Sequence, residues 1–477
     1  MLDYVFDHEA AHPDAVLFTQ PQAGGAVIDY SWREVVDQAR RMASYLTAQN
    51  FEPGARIAIL SKNSAHFIIA ELAIWMSGAT TVAIFPTETA EMVGYVLDHS
   101  GASLLFVGKL DEWAHQSAGI PAGLPCIALP LSPPTDFPSW DSIIARHTPL
   151  SGRLARRADE LAMLVYTSGS TGKPKGVMQT FESVSRVGEY IAETVRNELG
   201  PGTPLRGLSY LPLAHVYERA WVECAFLVDG RGQLFFAETL ETFLRDLQRA
   251  RPTLFASVPR LWLRFQLGVF QKMPPRKLDV LLSVPIVGRL VAREVLAGLG
   301  LDHVKLAGSG SAPIPADLIA WYRRLGLNLC EGYGMTEDFG YSHSSTKQTA
   351  LAGHVGTACK GVKVRISDDG EVQVLSVGRM KGYYKQPELD AEVFTADGYF
   401  CTGDLGELDA AGRLKITGRK KELFKTAKGK YVAPAPIENR INASPMIELS
   451  LVSGVGKQAA YAMVVLAEGL RLKLNNP

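Results

Sequence analysis

Between Arg56 and Val107, short apolar runs alternate with helical patterns, and few folds satisfy that alternation. Arg56–Leu60 (RIAIL), Thr80–Phe85 and Leu104–Val107 read as buried strands, with Ser64–Ser77 and Ala90–Asp98 as the helices between them. Strand–helix–strand units of this length build a parallel sheet covered by helices, so an α/β fold is expected. The most apolar stretch, Phe67–Phe85, lies inside this pattern. It runs 19 residues with one charge, Glu71, which is long enough to cross a bilayer. Yet Ser77-Gly78 interrupts it, and the β-formers Thr80, Thr81, Val82 and Ile84 follow. A buried helix running into a buried strand is therefore the better reading. The first residues, MLDYVFDHEA, are acidic and lack the basic and apolar regions of a signal peptide.

The alternation resumes after a proline-rich loop at Pro130–Pro138. Leu161–Tyr166 reads as a strand leading into a Gly-rich loop, followed by a helix from Ser183 to about Glu198. Leu208–Leu211 and Gln233–Phe236 read as strands flanking a helix from His215. In Thr239–Ala250, Leu240, Phe243, Leu244 and Leu247 recur at helical spacing and predict an amphipathic helix facing a core. Beyond about residue 355 the texture changes to short strands and turns, such as Lys363–Ile366, Asp369-Gly370 and Glu371–Leu375. That predicts a β-rich subdomain over about 355–420.

Composition narrows the function. Hydrophobic residues are 47% and charged residues 21% of 477, which excludes disorder and coiled coil and leaves room for a large domain plus smaller ones. Lys plus Arg is 49 against 49 Asp plus Glu, so nucleic acid is not expected as a partner. The five cysteines are scattered without a C-x-x-C pair. No disulfide framework or zinc site is expected, and a reducing cytosol is the default compartment.

The chemistry concentrates in Tyr166–Gly176, YTSGSTGKPKG. Hydroxyls, backbone N–H groups and the cations Lys173 and Lys175 converge in one loop after a strand, a set suited to wrapping a polyphosphate. It is not a Walker A loop, because no Gly-x4-Gly-Lys-Ser/Thr is present. An exposed polar loop is the bland alternative. Two other short matches fail for want of company. Asp338-Phe339-Gly340 has no H-R-D loop, and Ser170–Lys173 (S-x-x-K) has no S-D-N or K-T-G.

Further strings follow in order: YLPLAHVYER (Tyr210–Arg219), GSGSAP (Gly308–Pro313), EGYGMTE (Glu331–Glu337), TGDLG (Thr402–Gly406) and GRKKELFKTAKGKYVAP (Gly418–Pro434). Together with the loop, this set resembles the acyl-adenylate-forming superfamily of AMP-binding enzymes, and specifically its long-chain fatty acyl-CoA synthetase branch. The resemblance implies a large N-terminal domain (1–420) of helix-covered, mainly parallel sheets with the β-rich subdomain. A small, shortened α+β C-terminal lid (421–477) would follow.

The implied reaction activates a medium- to long-chain fatty acid with ATP and Mg2+ to acyl-AMP, releasing pyrophosphate, and then transfers the acyl group to CoA. The loop residues Ser168, Gly169, Ser170, Thr171, Gly172 and Lys175 would hold phosphates. Thr167 and Glu337 would stand on the magnesium side, as a hard cation prefers oxygen. His215 would meet the acyl carboxylate and Thr336 the α-phosphate. Gly310, Ser311, Ala312, Glu331 and Tyr333 would surround adenine, and Asp404 and Arg419 the ribose. Lys421 matches a hinge, and Lys425–Val432 the lid face for thioester formation, with Lys425 catalytic. The lysine that such lids carry near their end, in a Pro/Thr-rich Gly-Lys segment, is not found in this sequence. Other readings are an acyl-AMP ligase loading a carrier-protein thiol, a nucleotide-binding protein without turnover, and a serine hydrolase. No transmembrane segment is expected, while peripheral membrane contact stays open.

Overall fold

The computed structural model describes residues 1–167, 173–442, 444, 446–467 and 470–471. Its centre is a seven-stranded sheet. Leu161–Thr167, Thr80–Ile84, Arg56–Leu60, Ala102–Val107 and Cys126–Ala128 run parallel in that spatial order. The first four are strands that the alternation predicts, Cys126–Ala128 is not, and all are buried because helices cover both faces. On one side the sheet continues through two antiparallel strands, Lys175–Thr180 and then Gly382–Tyr383. The first of these corrects the sequence reading, which carried the loop straight on to a helix. Val177 and Gln179 are buried in that strand, but a run as short and mixed as KGVMQT carries little periodic signal.

A second sheet of five strands joins Leu254–Ser257, Leu306–Ser309 and Leu329–Tyr333 in parallel, then His343–Ser344 and Thr357–Ala358 antiparallel. A third sheet has the spatial order Val27–Ser31, Val16–Pro21, Gln233–Phe236 and Arg206–Ser209. The texture change near residue 355 corresponds to an antiparallel sheet of Lys363–Ile366, Glu371–Leu375, Phe400–Leu408 and Leu414–Arg419. Beyond it lie a hairpin of Phe424–Lys425 with Tyr431–Val432, the helix Pro434–Asn442 and the strands Ile447–Ser453 and Tyr461–Leu466. The architecture is a large mixed α/β region followed by a smaller α+β one.

The stretch that could have crossed a membrane is internal. Ala65–Met76 is a helix buried on every side, started by Ser64, whose Oγ accepts from the Phe67 N–H at 3.3 Å. Among the described residues no helix is long and apolar enough to cross a membrane. Its lone charge, Glu71, meets Arg219 at 2.5 Å, and neither side chain has any exposed surface.

The amphipathic reading of Thr239–Ala250 is half right. The helix begins at Phe243 and buries Leu247, but Leu240 and Leu244 face solvent. Thr239 and Thr242 close a turn on each other's N–H groups, which takes Leu240 out of the helical period. Asp246 occupies a buried position instead, accepting from the Glu238 N–H and the Thr242 hydroxyl.

Removing one partner of a fully buried ion pair strands the other charge, at a cost of about 3 to 5 kcal/mol. Glu71→Ala should therefore lower the thermal midpoint sharply. Glu71→Met combined with Arg219→Met should recover much of the loss. A single variant as stable as wild type would show that the pair carries no such weight.

Candidate active site

The carboxyl ends of Thr80–Ile84, Leu161–Thr167, Leu306–Ser309 and Leu329–Tyr333 converge on one cavity of about 1550 Å3. Such ends are where open α/β sheets bind ligands, because the connections there splay apart. Twelve of the sequence-predicted residues line it: Thr167, Lys175, His215, Gly310, Ser311, Glu331, Tyr333, Thr336, Glu337, Asp404, Arg419 and Lys421. Ala312 and Lys425 do not. Ala312 is exposed beside the cavity wall, and Lys425 stands on the Phe424–Lys425 hairpin with its Nζ over the Tyr431 ring at 5.3 Å. Ser168, Gly169, Ser170, Thr171 and Gly172 lie outside the described residues.

The strands on either side of the Gly-rich segment, Leu161–Thr167 and Lys175–Thr180, pair antiparallel. Thr167 and Lys175 are register partners, so the antiparallel pairing holds a hydroxyl and a cation side by side at its mouth. Tyr95 pins the returning strand, its hydroxyl donating to the Pro174 carbonyl at 3.1 Å. Lys175 Nζ sits 4.9 Å from the Tyr383 ring centroid, and the Tyr383 hydroxyl donates to Glu337 Oε1 at 2.8 Å. Tyr383 therefore joins the cation to the carboxylate, and nothing in the sequence near it announces that role. Gln179 steadies the next residue along, donating to the Thr336 carbonyl at 2.9 Å.

Glu337 and Thr167 line the same cavity, and together they offer one carboxylate and one hydroxyl. Among the described residues no group of three or more His, Cys, Asp or Glu side chains could hold a metal by itself. That fits magnesium, which keeps most of its shell in water and phosphate oxygens and needs only one or two protein ligands.

Asp404 and Arg419 are cross-strand partners in the antiparallel subdomain. Arg419 Nε donates to Asp404 Oδ1 at 2.8 Å, and the Tyr333 hydroxyl donates to Oδ2 at 2.6 Å. A carboxylate offers about four acceptor positions, so both oxygens can still receive a ligand hydroxyl. Gly310 lets Tyr217 come close, since a Cβ there would lie 3.2 Å from its ring and the ring would have to give way. The next residue, Ser311, holds φ 66° without being glycine, the kind of strained backbone that clusters at ligand sites.

His215 opens a short helix and accepts the Tyr217 N–H on its own Nδ1 at 3.1 Å. That bond leaves the proton on Nε2, and burial pushes the ring's pKa down, so it is a neutral donor. The segment carrying it is fixed by Asn63, which donates to Ser209 Oγ and the Leu211 carbonyl and accepts from the Leu213 N–H. The Asp338-Phe339-Gly340 tripeptide is a turn: Asp338 Oδ1 accepts from the Met335 and Tyr341 N–H groups.

Behind the carboxyl ends the cavity extends along one face of the five-stranded sheet. Leu254 pairs with Leu306, and Ala256 with Gly308, whose other neighbour is Cys330; all five line the space. Thr194 and Glu198, one turn apart on the helix Phe181–Leu199, line it as well. Three residue steps separate Leu306 from Ser309, both on the cavity wall, so this arm is about 10 Å long at 3.3 Å per residue. Sequence reading found no residue of this arm, because its rows of small and apolar side chains look like ordinary core.

Over residues 5–384 the chain matches the family model described as AMP-binding enzyme. The chain belongs to the AMP-binding enzyme family. This AMP-binding enzyme is 33% identical over 494 residues to the long-chain-fatty-acid–CoA ligase FadD15 of Mycobacterium bovis, covering 97% of this chain and 81% of that protein. It is 28% identical to the long-chain-fatty-acid–CoA ligase 1 of Homo sapiens, covering 92% and 69%. Among solved structures, ATP-bound MatB from Rhodopseudomonas palustris is 26% identical with a TM-score of 0.77, covering 98% of this chain and 88% of that one. The adenylation domain of the Segniliparus rugosus carboxylic acid reductase shares the fold at 21% identity and a TM-score of 0.81.

Glu218, next to Arg219, is buried with its carboxyl pKa pushed up to about 8 by burial. Unfolded, the same group ionises near 4.5. Between those values the unfolded chain binds fewer protons than the folded one, so this group's contribution falls as pH rises from about 5 to about 8. Glu218→Gln, neutral at every pH, should flatten the decline by up to about 1.4 kcal/mol per pH unit. Unfolding followed at pH 5 to 8 checks this; an unchanged slope would place the ionisation elsewhere.

Proposed function

We propose that this AMP-binding enzyme activates a fatty acid with ATP and transfers the acyl group to CoA. The observation that carries the reading is one continuous cavity with a polar end and an arm whose sheet face is small and apolar. At about 1550 Å3 it exceeds the 300–1,000 Å3 of ordinary small-ligand sites, and so has room for a nucleotide and an acyl chain together. The two fatty-acid–CoA ligases to which the chain is similar support the choice of acid and of thiol acceptor.

In this reading the carboxylate attacks the α-phosphate of ATP, giving acyl-AMP and pyrophosphate. Both reactants are anions, so the site must screen charge as it brings them together. Lys175, with the adjoining Ser168, Gly169, Ser170, Thr171 and Gly172, holds the β- and γ-phosphates. His215 donates Nε2–H to the acyl carboxylate, and Thr336 faces the α-phosphate. Asp404 accepts the ribose hydroxyls while Arg419 holds its orientation; Gly310, Ser311, Ala312, Glu331 and Tyr333 surround adenine. Thr167 and Glu337 would hold magnesium, which when bound would neutralise phosphate charge. The acyl chain lies along Leu254, Leu306 and Ala256. Residues 421–477 act as a lid on the 1–420 domain, turning at Lys421 to bring Lys425 into play for thioester formation. CoA then displaces AMP.

Pyrophosphate exchange into ATP across a panel of carboxylic acids tests the first step. Five additional methylenes, at about 0.8 kcal/mol each, favour a fatty acid over acetate by about a thousandfold. Equal kcat/KM for acetate and a long-chain acid would defeat the choice of substrate. AMP release with a carrier protein instead of CoA would defeat the choice of acceptor.

Glu337→Ala should lower magnesium-dependent exchange by about 10²- to 10³-fold, the usual cost of one lost electrostatic contact at a reacting centre. Its thermal midpoint should stay close to wild type, since Glu337 is only half-buried and bonded to one hydroxyl. Undiminished exchange at limiting magnesium would remove the metal-side role.

A further inference from the structure

Away from the cavity, the helices Pro275–Ser283 and Pro285–Gly298 form a tight corner on the surface. They bury Leu278, Gly288, Ala292 and Leu296. A Cβ on Gly288 would lie 2.6 Å from the Leu282 carbonyl, so the two helices touch backbone to backbone there. Their outer side is apolar where a soluble surface is normally polar. Ile286 is 75% exposed, Val280 66% and Leu290 64%, with Val284 and Val287 beside them.

Cations surround this apolar crest. Arg276, Lys277, Arg289 and Arg293 are exposed, and none takes part in an ion pair among the described residues. The one acid near the crest on the first helix, Asp279, is already paired with Arg324 at 2.7 Å. Over residues 259–298 the sequence has seven Lys or Arg against Asp279 and Glu294, in a chain of zero net charge. A cleft of about 300 Å3 opens at the corner, lined among others by Leu282, Gly288, Arg289, Arg293 and Arg324. It therefore has an apolar floor, the two unpaired guanidinium groups of Arg289 and Arg293, the paired one of Arg324, and a single carboxylate, Asp302.

We infer that this corner docks on an anionic phospholipid bilayer. Ile286, Leu290 and Val280 enter the boundary between headgroups and acyl chains, as the apolar face of an interfacial helix does. Arg276, Lys277, Arg289 and Arg293 face lipid phosphates, and the cleft takes one headgroup. An apolar crest alone would suit a protein partner equally well. The unpaired cations around it select the anionic lipid surface, because bringing them together otherwise costs mutual repulsion with no gain. The inference stands apart from which acid the cavity takes.

Co-sedimentation of the full chain with vesicles tests it, comparing phosphatidylcholine alone with phosphatidylcholine containing phosphatidylglycerol. Binding should require phosphatidylglycerol and weaken as salt rises. Arg289→Gln with Arg293→Gln should lower partition about 30-fold, since each cation near an anionic surface contributes a factor of about five. Ile286→Ser with Leu290→Ser should lower it by at least tenfold. All four side chains are exposed, so both variants should keep the wild-type thermal midpoint and nucleotide binding. Failure to sediment with either vesicle would overturn the inference, as would equal binding to both or indifference to both variants. A soluble dimer that Ile286→Ser with Leu290→Ser converts to monomer would overturn it too, by giving the crest to a second copy of the chain.

Discussion

Arg219 has no exposed surface and sits between two buried carboxylates, 2.5 Å from Glu71 and 3.4 Å from Glu223. Its Nε donates to the Leu213 carbonyl at 2.6 Å. One residue therefore ties three things together: the helix buried against the central sheet, the π-helical turn Arg219–Cys224, and the loop that carries His215. Burial raises the pKa of Glu223, with Glu71 adding repulsion, so the trio settles as one ion pair with a protonated acid beside it. A single positive charge is then neutralised inside the core, which is the condition under which such a charge can be buried at all.

From that anchor the site follows as a matter of geometry. His215 cannot drift, because Asn63 and Arg219 hold the backbone on which it stands. Tyr217, two residues on, packs against Gly310 and so joins the His215 loop to the second sheet. The antiparallel subdomain then supplies Asp404 and Arg419 from neighbouring strands. Three separately built units thus each contribute one wall. A ligand large enough to touch all of them would be held by polar groups at one end and by sheet-face side chains along the other.

Much of this architecture is legible in the residue pattern. The strands Arg56–Leu60, Thr80–Ile84 and Ala102–Val107 stand where β-branched runs and flanking turn residues put them, and the β-rich segment begins near the expected residue. Local signals of this kind survive because they depend only on the chain's own period and on burial. The departures fall where a local rule meets a tertiary competitor. Thr239 and Thr242 close a side-chain turn that excludes Leu240 from its helix, and Lys175–Thr180 becomes a strand only because Leu161–Thr167 is there to pair with it.

The order and spacing of the motif strings by themselves determined the family and eleven of the polar residues that line the cavity. Motifs are local, and a residue type that chemistry requires stays at its place in the string. Tertiary structure alone decided who meets whom. Glu71 finds Arg219 148 residues away, Tyr383 finds Glu337 across 46, and Tyr333 finds Asp404 across 71. It also decided that Leu254, Leu306 and Ala256 line a space instead of filling one. Burial and pairing at such distances are properties of the packed chain, and no pattern within a single segment can encode them.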